Sequence, residues 1–478
     1  MIYNSFLFII SFPIIFLALY MIRCLALQGF SILSKEGNMT GKNNRSRWSN
    51  WFLLLISYSL YLHYNHTMVI VLFAVTLLSY LSARFMDSVS SPIKKKKVVT
   101  ISVFLTLIPL LFFKYTDFLL SLFSSTEIPS TNISVFVPIG ISFFTFQSLS
   151  YLFDVYRGKY PAERNFLDYM LYLSFFPSIV AGPINRYDDL MPQIKQPKPF
   201  NYSMVVHGAK MIVWGMFLKV VVADRIALYV NPVFEEYTTY NGSELLMASL
   251  LYSIQIYTDF AGYSLQAIGA ASMLGFQLKP NFHNPYFSTS ITDFWHRWHI
   301  SLSQWLKDYI YIPLGGSRCS KPRNYLNILL TFLASGIWHG ANWTFILWGI
   351  LHGVFQVIEK FIGLSRKPRP LRVLRVIVTF GLIDFLWIFF RMPTVGAATE
   401  VLYKILFHQD GRFGIFEKYL LIFILMVFTK DLIDEVRPSC NPFLHKSKWI
   451  RWSTYVLVTT LIFLFGVFDS GQFVYARF

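Results

Sequence analysis

Two short stretches carry the side chains best suited to moving a proton or an acyl group. DFWHRWHISLSQWLKDYIYIPLGG, residues 293–316, holds His296 and His299, and SGIWHGANWTFILWG, residues 335–349, holds His339. Imidazole titrates closest to neutrality of all side chains, which makes it the usual general acid or base. His339 has a plainer reading as a buried imidazole satisfied by a backbone carbonyl. Against that reading, Gly336 and Gly340 flank it and leave room for something to approach closely, while Trp338, Asn342 and Trp343 supply a polar-aromatic lining. The plain reading of His296 and His299 is a solvated amphipathic helix anchored at an interface by Trp295, Trp298 and Trp305.

Other chemistries find less support. Asp293, His296 and His299 recur on a face that drifts around a helix, without the i, i+4 pair of a helical zinc motif and without a fourth ligand, so no metal is expected. Cys24, Cys319 and Cys440 are scattered, with neither a disulfide framework nor an activated nucleophile in view. Asp259, in QIYTDFAGYS, reads either as a proton relay or as an acid holding a helix terminus or hydroxyl near Gly262. The structural role is preferred, since a buried carboxylate without a partner is expensive. His63, His66, His283, His408 and His445 fall in loops or at interfaces, and His207 and His352 read as structural.

The elements that must position these residues belong to a membrane protein. Of 478 residues, 55% are hydrophobic and only 14% charged, too few charges to cover a soluble surface of this size. Mean hydropathy is +0.48. Apolar runs of about 17–25 residues recur, the length of a membrane-crossing helix, and their continuity excludes a barrel of short alternating strands. The net charge of +17 resides in basic clusters between the runs, where positive-inside loops and anionic headgroups account for it without nucleic acid.

The expected architecture is all-α, a polytopic bundle of about 11–13 membrane segments plus re-entrant helices, in one domain covering 1–478. Basic loops at 34–48 and 94–97 set the inside, and acidic loops near Glu127 and at Glu235–Glu236 the outside. The first run, about 6–20, lacks a secretory cleavage pattern and reads as a retained span with its N-terminus outside. Residues 166–182, interrupted by Pro177, read as a broken or re-entrant helix, and 279–324 as a segment that protein must bury. Two spans, about 325–341 and 343–362, form a hairpin with His339 near its turn.

VPIGISFFTFQSLSYLFDVYRG (137–158), FFPSIVAGPINR (175–186), YTDFAGYS (257–264), NPYFSTSITDFWHRWH (284–299) and WHGANWTFILWG, with LWIFFRM near 391 and the tail FVYARF, together resemble the membrane-bound O-acyltransferase family, in its bacterial alginate O-acetyltransferase-like branch. The matching motifs run from about residue 100 to 478, after N-terminal spans in 1–90. The resemblance implies a funnel from outside and a tunnel from inside that meet at two histidines, His339 as the central one and His299 as the second. His296 sits where relatives often carry Arg or Asn and receives no catalytic role. Trp298, Trp338, Asn342, Trp343, Ser301 and Asp259 are the expected tunnel-lining or substrate-binding residues.

The implied reaction moves an acyl group from a cytoplasmic thioester, acetyl-CoA or another acyl thioester as donor substrate rather than bound cofactor, to a hydroxyl of an extracytoplasmic polysaccharide. The implied setting is the bacterial cytoplasmic membrane, crossed many times, with a periplasmic or surface acyltransferase as partner. His339 would deprotonate the acceptor, and His299 would orient the thioester or stabilise the oxyanion. Lys307, Arg318, Lys321 and Arg323 would attract an acidic donor, although positive-inside bias predicts the same charges. A cousin branch transfers D-alanine to teichoic acids. YIPLGGSR (311–318) is more similar to the acetyltransferase branch. The rival classes are a transporter or polysaccharide exporter, against which stands the lack of an inverted repeat, and a non-enzymatic scaffold, against which stand the two intact histidines.

Overall fold

Within lipid a backbone can satisfy its polar groups only locally, and long apolar runs therefore become helices. The computed structural model describes residues 6–33, 40–64, 68–123, 138, 140–180, 182–364, 372–411 and 418–468, and every regular element among them is helical. Expectations placed on Glu127, on residues 34–39 and on the FVYARF tail lie outside the described residues.

The helices are α1 (Phe6–Leu33), α2 (Thr40–Tyr64), α3 (Val69–Ser88), α4 (Pro92–Phe123), α5 (Ile141–Tyr156), α6 (Phe166–Ser174), α7 (Phe176–Ile179), α8 (Tyr187–Lys195), α9 (Tyr202–Met216) and α10 (Asp224–Glu235). There follow α11 (Gly242–Met273), α12 (Ile291–Arg297), α13 (Ile300–Leu306), α14 (Lys321–His339), α15 (Trp343–Phe361), α16 (Arg372–Arg391), α17 (Val395–Phe407), α18 (Tyr419–Val436) and α19 (Lys448–Phe465). Val69–Ser88, Pro92–Leu120 and Arg372–Arg391 are each long and apolar enough to cross a membrane. Large apolar side chains such as Ile70, Phe104 and Val373 stand exposed on these helices, as a lipid-facing surface requires.

The helices gather into two compact units. One comprises residues 7–209 and 267–279. In it α3, α4 and α5 pack against one another, and α2 packs against α6. Hydroxyls on the apolar helices return to their own i−4 carbonyls, as Ser57 does to Leu53 (2.8 Å) and Ser79 to Val75 (2.7 Å), which removes the cost of burying them. The expected break in 166–182 falls at Phe175, between α6 and α7. Protein groups satisfy the interrupted backbone: the Phe176 N–H donates to Ser57 Oγ at 3.2 Å. Gly140, at φ +75°, faces the Ile179 carbonyl so closely that a Cβ would lie 2.1 Å from its oxygen.

In the loop after α5, the buried Glu163 accepts the N–H groups of Arg164 (2.9 Å) and Asn165 (3.0 Å), the Tyr187 hydroxyl (2.6 Å) and the Lys195 ammonium (2.6 Å). Burial alone would raise this carboxyl, but the Asn165 N–H, Lys195 and Tyr187 outweigh it and hold it below the ordinary glutamate value.

The other unit comprises residues 210–266 and 280–468 and contains both motif histidines. The chain leaves α9 through a π-helical segment, Phe217–Ala223, before α10. An aromatic-rich core runs through Phe217, Tyr257, Phe294, Trp298, Trp348 and Trp387. The expected hairpin is present as α14 and α15, turning at residues 340–342. The two helices touch backbone to backbone: a Cβ on Gly336 would lie 2.3 Å from the Phe345 carbonyl oxygen, and one on Gly349 2.4 Å from that of Phe332. Such a seam needs glycine on both sides.

Candidate active site

His299 sits between two short helices. Ser290 caps α12 by accepting the Asp293 N–H at 3.0 Å, and α12 ends at Arg297. The chain then turns through His299 at φ +42°, a left-handed conformation that costs a side-chain-bearing residue energy. Residues 281–283 run beside this turn. The His283 N–H donates to the Arg297 carbonyl and the Ile300 N–H to the Asn281 carbonyl, each at 2.9 Å. Asn281 Oδ1 lies 3.2 Å from His299 Nδ1 and also accepts the Ser301 N–H (3.2 Å) and Ser301 Oγ (2.9 Å). The imidazole is fully buried, edge to face with Phe260 at 4.7 Å between centroids.

The solvated-helix reading of this segment is therefore corrected. Trp295, Trp298 and Trp305 are 5%, 1% and 4% exposed, and only His296 among the neighbours named above faces outward. Trp298 lies stacked on Phe294 at 5.3 Å and tilted against Trp387 at 5.0 Å. Its partners are protein rings, not headgroups.

His339 is the last residue of α14. Its ring meets Trp338, Trp348 and Phe390 edge to face at 4.9, 5.0 and 5.4 Å. The room that Gly336 and Gly340 were expected to leave is filled by α15: a Cβ on Gly340 would come within 2.2 Å of the Phe345 ring. Asn342 caps α15 through the Thr344 N–H (3.3 Å) and donates to the Pro393 carbonyl (2.6 Å), holding the turn on which His339 ends. Trp338 is buried and faces inward, whereas Trp343 is 56% exposed.

Trp338 touches both imidazoles, at 6.0 Å from His299 and 4.9 Å from His339. The structure thus brings His299, His339, Trp338 and Ser301 into one aromatic-walled neighbourhood. Asp259 has a different engagement. It pairs with Lys219 at 2.7 Å, and Lys219 pairs with Asp224 at 2.6 Å, all three 1% exposed. A lysine ammonium, not a helix terminus or hydroxyl, is the partner that makes its burial tolerable.

Sequence reasoning missed Lys219 and Asn281. Lys219 had a local signal, a cation within an apolar run; Asn281 had none, because its role depends on a chain crossing. His352, expected to be structural, accepts the Trp295 indole N–H at 3.1 Å and packs on Trp348. Beside α12 and α13 lies a cavity of about 430 Å³, lined by Trp295, His296, Ser303, Lys307 and Lys360 among others. Its wall combines apolar side chains with the Lys307 and Lys360 ammonium groups.

Comparison with known proteins gives a family and several relatives. The model of the membrane-bound O-acyltransferase family, MBOAT, matches residues 2–395. The chain is 38% identical to the probable alginate O-acetylase AlgI of Pseudomonas aeruginosa, over 74% of this chain and 68% of the relative. It is 39% identical to the peptidoglycan O-acetyltransferase of Helicobacter pylori, over 61% of each chain. Identity to the teichoic acid D-alanyltransferase of Bacillus subtilis is 27%, over 52% of this chain and 67% of the relative. The protein belongs to the membrane-bound O-acyltransferase family and is an acyltransferase.

Proposed function

We propose that the protein transfers an acetyl group from a cytoplasmic thioester, acetyl-CoA, toward hydroxyls of an extracytoplasmic polysaccharide, with a periplasmic or surface partner protein carrying the group onward. Its place is the bacterial cytoplasmic membrane, crossed several times. The observation that carries this reading is the shared contact of His299 and His339 with Trp338, which gathers two bases in one water-poor neighbourhood. The relatives named as O-acetylases and O-acetyltransferases, at 38–39% identity, favour acetyl over D-alanyl, for which the relative stands at 27%.

In the reaction, the acceptor oxygen attacks the thioester carbonyl carbon as its proton passes to His339. The C–S bond breaks, and the proton is returned to the leaving sulfur, so ester and free thiol form and the imidazole ends neutral. No acyl-enzyme is needed. The donor arm is assigned to the cavity beside α13, whose wall carries Lys307 and Lys360 for its phosphates.

The test is acetyl incorporation into envelope polysaccharide in a deletion strain carrying wild type or His339→Ala, with membrane levels matched. Acetylation restored by wild type alone supports the reading. Full acetylation by the variant rejects the role of His339, and D-alanine esters restored in place of acetyl select the cousin reaction.

A further inference from the structure

Which nitrogen of His299 carries the proton follows from the geometry around Asn281. The Ser301 backbone N–H opens α13 and has no intrahelical acceptor, since the first N–H groups of a helix never do. It is directed at the Asn281 side chain at 3.2 Å. The Asn281 atom there must therefore be the carbonyl oxygen, because the amide nitrogen would set donor against donor. The Ser264 hydroxyl, 3.3 Å from Nδ2, can accept there and is compatible with that orientation. The same oxygen lies 3.2 Å from His299 Nδ1. A neutral imidazole facing a fixed acceptor carries its hydrogen on that nitrogen, which leaves the lone pair on Nε2.

We propose that Asn281 is a positioning residue that holds His299 as the Nδ1–H tautomer, so that Nε2 of this imidazole can act only as a hydrogen-bond and proton acceptor and does not donate to the oxyanion. The backbone supports the assignment independently. The left-handed turn at His299 is tied on its far side by the Ile300 N–H on the Asn281 carbonyl at 2.9 Å. One asparagine thus fixes the ring nitrogen through its side chain and the strained turn through its main chain. An outlier over-determined in this way is characteristic of a functional constraint. Any group that meets Nε2 must then offer an N–H or O–H, as the acceptor hydroxyl or an amide of the thioester arm would. The carbonyl oxygen of the thioester is excluded, because it offers no hydrogen.

The catalytic consequence rests on the acyl-transfer reading above, whereas the tautomer does not. The full-length protein, labelled with ¹⁵N-histidine and held in lipid nanodiscs, would be examined by ring-nitrogen NMR, with the His299 signals assigned by their loss in His299→Gln. The expected result is a protonated Nδ1 and a bare Nε2 in wild type and in Asn281→Asp, and loss of that preference in Asn281→Ala. In acetyl transfer, Asn281→Ala should lower kcat roughly tenfold to a hundredfold with a much smaller change in KM, as expected for a misplaced catalytic group, and Asn281→Asp should recover most of it. A wild-type spectrum with the proton on Nε2 overturns the proposal, as does an Asn281→Ala variant with unchanged tautomer and kcat. If wild type transfers no acetyl at all, the functional reading fails while the tautomer still stands or falls on the spectrum. If Asn281→Ala does not fold, the wild-type and Asn281→Asp spectra decide alone.

Discussion

Lys219 and Asp259 meet at 2.7 Å, both closed off from solvent, with Asp224 on the other side of the same ammonium. One cation between two carboxylates tolerates burial only while all three are present. Lys219→Met should cost about 3–5 kcal/mol, the usual result of stranding a buried charge, read as a lower melting temperature in detergent. A triple variant with Lys219→Met, Asp224→Asn and Asp259→Asn should regain much of that loss. Were Asp259 a proton relay, Asp259→Asn alone would abolish turnover in protein of normal stability.

The seam between α14 and α15 predicts a separation of stability from catalysis. Gly336→Ala drives a Cβ against the Phe345 carbonyl, which cannot yield without moving the helix; a loss of about 1–3 kcal/mol is expected. Gly340→Ala strikes the Phe345 ring instead. A ring can turn, so folding should survive while the wall beside His339 shifts and kcat falls. Melting curves and turnover of the two variants check the contrast.

His296 and His339 should behave differently although both are motif histidines. His339→Ala is expected to lose at least roughly a hundredfold in kcat. The exposed His296 lines the cavity, so His296→Ala and Lys307→Ala should raise the donor KM several-fold and leave kcat within about threefold. Steady-state kinetics with acetyl-CoA distinguish the two patterns.

Glu163 gives the loop after α5 a pH dependence. Its folded pKa is held below the ordinary value, so its contribution is complete above the unfolded glutamate pKa and is lost as pH falls through the folded one. Glu163→Gln should lower stability at neutral pH by about 1–3 kcal/mol and flatten the decline seen on acidification. Thermal melts of wild type and variant between pH 7 and pH 3 check both effects.

The helices, the break at Phe175 and the hairpin ending at His339 were legible because apolar run length, proline and glycine act locally. The burial of Trp298 and Trp305 was not. A tryptophan on an amphipathic helix has the same spacing whether it faces headgroups or other rings, and for Trp298 it is the packing of α16 and its Trp387 that decides between them. Gly336 and Gly340 announced a close approach without saying by what, and the answer was α15. Lys219 stood out locally as a cation in an apolar run, although nothing in that run names its partner Asp259. Asn281 had no local signal, because its partner His299 comes from another segment and periodicity carries no information about such crossings.

The glycine seam also acts as a ruler. Helices packed through flexible side chains can slide in small steps, but two backbones pressed together at Gly336 and Gly349 have no intermediate settings. Sliding α14 by a single residue would drive a side chain into the neighbouring main chain. The depth of His339 relative to the start of α15 is therefore set by backbone contact, so a shift of α14 along its axis would have to carry α15 with it.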